Sequence, residues 1–202
     1  MKKLFALLMI LLVHAGFSIS NAQVDLGLGV KGGINIAYQT TTGESENVYV
    51  ENLLRYHAGV YLNYFFLKNL AVQPELQVSG KGSKWNDPAY NTRDMLTYID
   101  LPILIRYQAL KILNIHAGPQ FGYMLSAFQK DMDSEEKTNI KDYYKDFDLG
   151  LAVGAEANLP FRINLTVRYV MGLVPTTTEA EYWEPWTNHF LQFSVGYRLL
   201  GK

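Results

Sequence analysis

Eight segments of the sequence alternate between apolar and polar residues, and this alternation limits the possible folds more than any other feature. The clearest segment is 162–173, where Ile163, Leu165, Val167 and Tyr169 alternate with polar residues. A period of two residues is typical of β-strands with one apolar and one polar face. Each segment is long enough to cross a bilayer as a tilted strand, which takes about 9–11 residues. We predict strands over 27–38, 55–66, 70–79, 96–108, 112–125, 147–159, 162–173 and 189–200.

The connections between these segments are long and short in turn. The short connections are 67–69, 109–111 and 160–161. The long, polar connections are 39–54, 80–95, 126–145 and 174–188. Short periplasmic turns and long outer loops are typical of barrels in bacterial outer membranes. The sequence therefore predicts an all-β fold, an eight-stranded antiparallel up-and-down transmembrane β-barrel that forms one domain over 23–202. An even number of strands places both termini on the short-turn side, in the periplasm.

The first residues have the features of a secretory signal peptide. Lys2 and Lys3 form a positive region, and the apolar run Leu4–Val13 follows. Ser20 and Ala22 place small residues at the positions that signal peptidase requires. We predict a signal peptide over 1–22 with cleavage after Ala22.

The composition excludes several classes of function. The chain has 18 basic and 19 acidic residues, and removal of 1–22 takes away two lysines, so the mature charge is 16 − 19 = −3. Nucleic-acid binding requires a concentrated basic surface, which this balance does not favour. The chain has 0 cysteines, which excludes disulfides and thiol nucleophiles. No segment after the signal has the roughly 18 apolar residues of a membrane helix, so any membrane crossing must use strands.

The direction of the apolar face distinguishes two classes of barrel. In a soluble lipocalin-like carrier the apolar residues line a ligand cavity. In a membrane barrel they contact lipid, and the polar residues fill the lumen. The loop pattern favours the membrane barrel, and charges of both signs in the polar phase suit a paired interior. The predicted lumen network comprises Lys31, Glu75, Asp100, Arg106, Asp148, Glu156, Arg162, Arg168 and Arg198.

Three prolines interrupt the predicted strands. Pro74, Pro102 and Pro119 lie inside alternating segments, although a closed barrel has no edge strand to accommodate a residue without an N–H group. β-bulges are one interpretation of these positions. On periodicity alone, the prolines are the strongest argument against the predicted strands.

The same segments resemble recurrent strand motifs of the PorT-like outer-membrane β-barrel family. The motifs appear in family order over nearly all of the mature chain: GVKGGIN (29–35), VQPEL (72–76), YIDLPILIRY (98–107), AGP (117–119), DLGLAVGAE (148–156), RY (168–169) and GL (172–173). The resemblance implies an eight-stranded outer-membrane barrel. It implies no catalytic residue, because the shared motifs are structural.

Two patterns that often carry chemistry have structural explanations here. Residues 27–32 match G-x-G-x-x-G, but the dinucleotide mechanism needs a following helix, and a strand is predicted instead. Asp131, Asp133 and Glu135 alternate as in a calcium loop, but Glu136 occupies the position where such a loop requires glycine. We predict no metal, no cofactor and no catalytic residue.

The histidines lie on different predicted strands without metal-ligand spacing. We interpret His57 and His116 as hydrogen-bonding residues of the lumen. His189 and Ser126 lie near strand ends, where an outer-membrane lipid-modifying enzyme would need its Ser/His pair, although the sequence does not show that they meet. No Gly-x-Ser-x-Gly motif is present.

The fourth long connection is the most distinctive exposed segment. Tyr182, Trp183 and Trp186 occur there among acidic residues and form a candidate binding tip, since rigid aromatic residues often anchor interfaces. The favoured interpretation is that the tryptophans lie in the interfacial aromatic belt.

Together these features predict a non-enzymatic outer-membrane protein whose long loops serve interaction or adhesion, or which assists secretion or envelope integrity. The alternatives are a narrow passive porin, a lipid-modifying enzyme and a soluble lipocalin-like carrier. The expected partners are outer-membrane lipid and envelope or extracellular proteins, with no nucleic acid, and the expected state is a monomer.

Overall fold

Eight long antiparallel strands form the wall of the protein in the computed structural model, which describes residues 25–41, 50–87, 90–178 and 185–201. They are numbered in chain order: β1 Asp25–Thr41, β2 Leu53–Leu67, β3 Leu70–Asp87, β4 Tyr90–Gln108, β5 Leu113–Asp131, β6 Phe147–Asn158, β7 Ile163–Gly172 and β8 Trp186–Leu200. Each strand pairs with its chain neighbours, and β1 also pairs with β8. The sheet therefore closes on itself, which satisfies the backbone groups of every strand within the wall. The predicted eight-stranded antiparallel barrel is confirmed.

Four short elements lie in the connections. The strand Val50–Glu51 extends the sheet beside β3, and the strand Lys137–Asn139 extends it beside β5. Two 3₁₀ turns cover Lys141–Tyr143 and Pro160–Arg162. No helix in the described segments is long and apolar enough to cross a membrane.

The connections at the two ends of the barrel differ in length. The short-turn end contains the connections 68–69, 109–112 and 159–162, and the long-loop end contains 42–52, 88–89, 132–146 and 173–185. The predicted signal peptide, 1–22, lies outside the described residues.

One predicted long loop is a strand hairpin. Residues 80–95 were expected to form a loop because they are polar, but β3 continues to Asp87 and β4 begins at Tyr90, directly opposite. The reason is that the alternation continues, with Lys81 and Ser83 buried on the same face as Ser79. β5 likewise extends to Asp131, beyond its predicted end.

The apolar phase of every long strand points outward. Val153, Val167 and Val195 are 52%, 46% and 58% exposed, whereas the intervening Thr166 and Arg168 are buried. The lipocalin-like alternative requires the opposite arrangement and is therefore wrong. A lipid-facing exterior and a polar interior follow from the same alternation.

The three prolines do not mark β-bulges. The β3–β4 ladder stops at Pro74, opposite Ile103, and resumes in the same register at Gln77, opposite Asp100. The β4–β5 ladder likewise stops at Pro102 and resumes without a shift. Because proline lacks an N–H group, each one removes a ladder hydrogen bond without moving the register. The β4–β5 register shift lies elsewhere, between Thr97 and Tyr98.

Candidate functional site

Buried ion pairs occupy the lumen in three groups along the barrel. Together they contain four cations and four carboxylates. An uncompensated charge in such an interior would be costly, so this balance is a condition for a stable barrel.

The middle group is a triad centred on Glu75. Its carboxylate accepts hydrogen bonds from Lys31 Nζ at 3.0 Å and from Arg168 Nη1 and Nη2 at 2.9 and 2.7 Å. Gln73 donates a further bond at 2.7 Å. Arg168 Nε donates to His116 Nε2 at 3.1 Å. Because arginine only donates, that histidine nitrogen is the acceptor and the ring is neutral. The triad has two cations and one carboxylate.

The second triad, nearer the long-loop end, has the opposite charge. Lys81 Nζ donates to Asp100 Oδ1 and to Asp148 Oδ2, both at 2.9 Å. Gln120 donates to the other oxygen of Asp100 at 2.9 Å, and Asn188 donates to Asp148 at 3.2 Å. Two carboxylates and one cation balance the excess positive charge of the middle triad.

The third group lies towards the short-turn end. Arg106 Nη2 and Glu156 Oε1 form an ion pair at 2.7 Å. Beside them, Asn164 donates to the Tyr61 hydroxyl at 2.8 Å. A Cβ at Gly29 would overlap the Tyr61 ring, so the glycine makes room for the tyrosine to lie over the neighbouring strand β1.

Two of the predicted lumen residues do not join these groups. Arg162 lies in the 3₁₀ turn before β7, is exposed and donates to the Leu199 carbonyl at 3.0 Å. It has the inward phase of β7, but the strand begins one residue later, so its side chain never enters the lumen. Arg198 is half-buried at the end of β8 and forms no ion pair with a described residue.

The lumen is filled by side chains. Arg168 and Gln192 are 0% exposed and Gln77 is 1% exposed, although all three project into the interior. A water-filled channel would leave such side chains accessible to solvent. The inside of this barrel is therefore a packed polar core, as the diameter of eight strands favours.

A loop covers the lumen at the long-loop end. Ile140 and Tyr144, from the connection 132–146, pack against buried apolar residues of β4 and β5, including Leu96 and Met124. The Tyr144 hydroxyl donates to Asp94 at 3.2 Å. Apolar packing of this loop therefore covers the inner face of β4 and β5 above the ion pairs.

Trp186 faces the interior. It is 8% exposed, and its ring packs edge-on against Trp85 at 4.8 Å between centroids. It shares the inward phase of β8 with Asn188 and Phe190, which corrects both the belt and the binding-tip interpretations for this residue. Tyr182 and Trp183 lie outside the described residues.

The structure does not assemble a Ser/His pair at the rim. His189 contacts Thr40, Thr187 and Tyr169 on the outer surface, and two strands separate β8 from Ser126 on β5. Inside the lumen, His57 Nε2 lies 2.9 Å from Ser194 Oγ, but both residues are buried and His57 Nδ1 has no hydrogen-bond partner. Without an orienting acid or an approach for substrate, this pair lacks the geometry of a nucleophile and base.

Several network residues were missed because they lay in predicted loops. Lys81 belongs to the second triad, and Gln39 donates to Asn188 at 3.0 Å. The signal was present in β3, where Gln73, Glu75 and their successors in the same phase are polar up to Ser83. Within the described parts of the chain, no cluster of three His, Asp or Glu residues could hold a metal ion.

Several solved structures have a similar fold. Ail, the attachment invasion locus protein of Yersinia pestis, solved with the heparin analogue sucrose octasulfate, is 10% identical with a TM-score of 0.52, over 87% of this chain and 99% of that one. Neisserial surface protein A is 10% identical with a TM-score of 0.53, over 84% and 96%. A major outer membrane protein of Thermus thermophilus is 10% identical with a TM-score of 0.50, over 88% and 100%. At such identities the likeness shows the fold alone.

Comparison with family models gives a more specific result. The model described as "Outer membrane protein beta-barrel domain" matches residues 21–178. No curated protein matches the sequence. None of these comparisons is specific to PorT-like proteins, so that finer assignment stays a prediction. Because the matched region is more than half of the chain and the fold agrees with it, the protein belongs to the outer membrane protein beta-barrel domain family.

Proposed function

We propose that this protein is a non-enzymatic anchor in the bacterial outer membrane, with its long-loop end outside the cell and available for interaction or adhesion. The observation that carries the proposal is the packed lumen, in which fully buried residues such as Arg168 leave no path for a solute. A barrel that conducts nothing acts through its surface.

The long-loop end offers the larger surface. Beyond the barrel, β3, β4 and β5 continue as a sheet that the strands Val50–Glu51 and Lys137–Asn139 widen on both sides. Ail has a comparable barrel and is called an attachment protein, which supports adhesion as a use of this fold. A role in secretion or envelope integrity is the second candidate. Cross-linking and pull-down from native membranes separates the two, since adhesion predicts extracellular partners and secretion predicts envelope partners.

The porin alternative is tested by conduction. In planar bilayers, the purified and folded protein is expected to show no stable unitary conductance, because ion-paired side chains fill the lumen. Liposomes that contain it are expected to exclude sugars, with a water-filled porin as the positive control. Reproducible channels together with sugar flux would contradict the anchor and favour the porin.

Cysteine labelling tests the orientation. Because the chain has 0 native cysteines, the label reacts only at the introduced one. A Ser134→Cys variant, at the long-loop end, is expected to react with an impermeant maleimide on intact cells. Lys68→Cys, at the short-turn end, is expected to react only after the outer membrane is opened. The reverse pattern would place the termini outside and overturn the proposed topology.

A further inference from the structure

Four cations form a row across four neighbouring strands at the long-loop end. Lys84 lies opposite Arg93, Arg93 opposite Lys130, and Lys130 opposite Lys137. Their strand neighbours Ser83 and Asp94 are buried in the interior. Successive side chains on a strand point to opposite faces, so these four point outward. We call Lys84, Arg93, Lys130 and Lys137 the basic row.

Like charges directly opposite one another destabilise a sheet, so the row needs compensation. Glu51 supplies it at one end, where Lys84 Nζ lies 2.8 Å from its carboxylate. Hydrogen bonds from Lys84 and Asn86 hold the pKa of Glu51 below its usual value, so it stays ionised. Glu135 lies 3.7 Å from Lys130, with its side chain 81% exposed.

The positive charge of Arg93, within the row, is not compensated by an ion pair among the described residues. It forms no ion pair with a residue that the structure describes, and its Nε is buried without a hydrogen-bond partner. The four cations of the row and the two carboxylates paired with them have a net charge of 4 − 2 = +2. An external anion would complete this arrangement.

The row lies directly above the lipid-facing band. On β4, the outward residues between the exposed Tyr107 and the row run from Ile105 to Met95, and Met95 lies opposite Phe128 in the last apolar position before the row. Ten residues at about 3.4 Å each, tilted by about 40°, rise about 26 Å, close to the roughly 25 Å height of an apolar band. The basic row therefore lies at the level of the lipid headgroups.

We propose that the basic row binds the phosphate groups of a glycolipid in the outer leaflet. A guanidinium offers two parallel N–H donors to a phosphate, and the flanking lysines add point charges. Strands about 4.8 Å apart make the row about 14 Å long, enough to contact phosphates at both ends of a disaccharide headgroup. The side chains of the row point outward from the barrel wall at the membrane border, and this position favours a lipid over a soluble ligand. The inference rests on the orientation proposed above.

The test measures binding of lipid A to the folded barrel in nanodiscs, where both leaflets are accessible and orientation has no influence. Each cation near an anionic surface contributes about a fivefold change in affinity. Arg93→Gln is therefore expected to weaken binding about fivefold, and the triple variant Lys84→Gln, Arg93→Gln, Lys130→Gln on the order of a hundredfold. Lys68→Gln, at the short-turn end, is the matched control and is expected to bind like the wild type.

Three results would overturn the proposal. One is equal binding of lipid A by the wild type and the triple variant, both shown to be folded by heat-dependent gel mobility. Another is equal binding of lipid A and of lipid A without its phosphates. A third is a wild type that binds sucrose octasulfate but not lipid A, which would assign the row to a soluble sulfated glycan. Cysteine labelling reports the topology separately, so failure of the lipid site and failure of the proposed orientation are distinguishable.

Discussion

The Glu75→Gln variant is expected to lose about 3–5 kcal/mol of folding free energy, the usual effect of removing one partner from a buried ion pair. The substitution preserves the shape of the side chain but leaves Lys31 and Arg168 without a carboxylate, and both are buried. Urea unfolding in lipid vesicles, followed by tryptophan fluorescence, measures the loss. Glu135→Gln, which removes an exposed carboxylate, is the control and is expected to change the stability by less than about 0.5 kcal/mol.

A second variant separates lost pairing from lost packing. Replacing Lys31, Glu75 and Arg168 together with Met, Leu and Met removes every charge of the triad and preserves most of its volume. Such replacements are often neutral or stabilising. Because the second triad then keeps its excess negative charge, this variant is expected to be more stable than Glu75→Gln but less stable than the wild type. If Glu75→Gln is as stable as the wild type, the triad does not hold the barrel together.

Val167→Arg is expected to lose about 2–4 kcal/mol, the usual effect of arginine on the lipid face near the bilayer midplane. Val167 lies midway along β7 and is 46% exposed on the outer surface. Refolding into vesicles, measured by the gel shift between heated and unheated samples, reports the loss. Leu200→Arg is the control at the short-turn end, where the side chain is 64% exposed and the expected loss is about 0–1 kcal/mol. Equal folding of Val167→Arg and wild type would contradict the assignment of faces.

The barrel and its two faces could be predicted from the sequence because one physical rule governs both. Period-two alternation determines which side chains share a face, and it continues along most of each long strand. Loop boundaries are harder to predict, because polar residues occur both in loops and on the inner face of a strand. Lys81 and Asn188 fall in predicted loops for that reason, although both lie on strands that line the interior.

The pairing of the charges could not be predicted, because it depends on the stagger of strands around the closed wall. Alternation predicts that Lys31, Glu75 and Arg168 lie on the inner face, but it does not predict their positions along the barrel axis. Their meeting requires β1, β3 and β7 to bring side chains from three parts of the wall to one level. The basic row was missed because Lys84 and Arg93 were expected in a loop, where no register exists to place them side by side.

The lumen groups also have a consequence for folding, because most of their contacts join strands that are not neighbours. Glu75 on β3 needs Lys31 from β1 and Arg168 from β7, and Arg106 on β4 needs Glu156 from β6. An open sheet that has not yet curled can pair its backbone but cannot bring β3 and β7 together, so Glu75 and Arg168 stay hydrated. The pairing of β1 with β8 is then also the step that expels water from the interior. Assembly is therefore expected to be cooperative, with few stable intermediates before the ring closes.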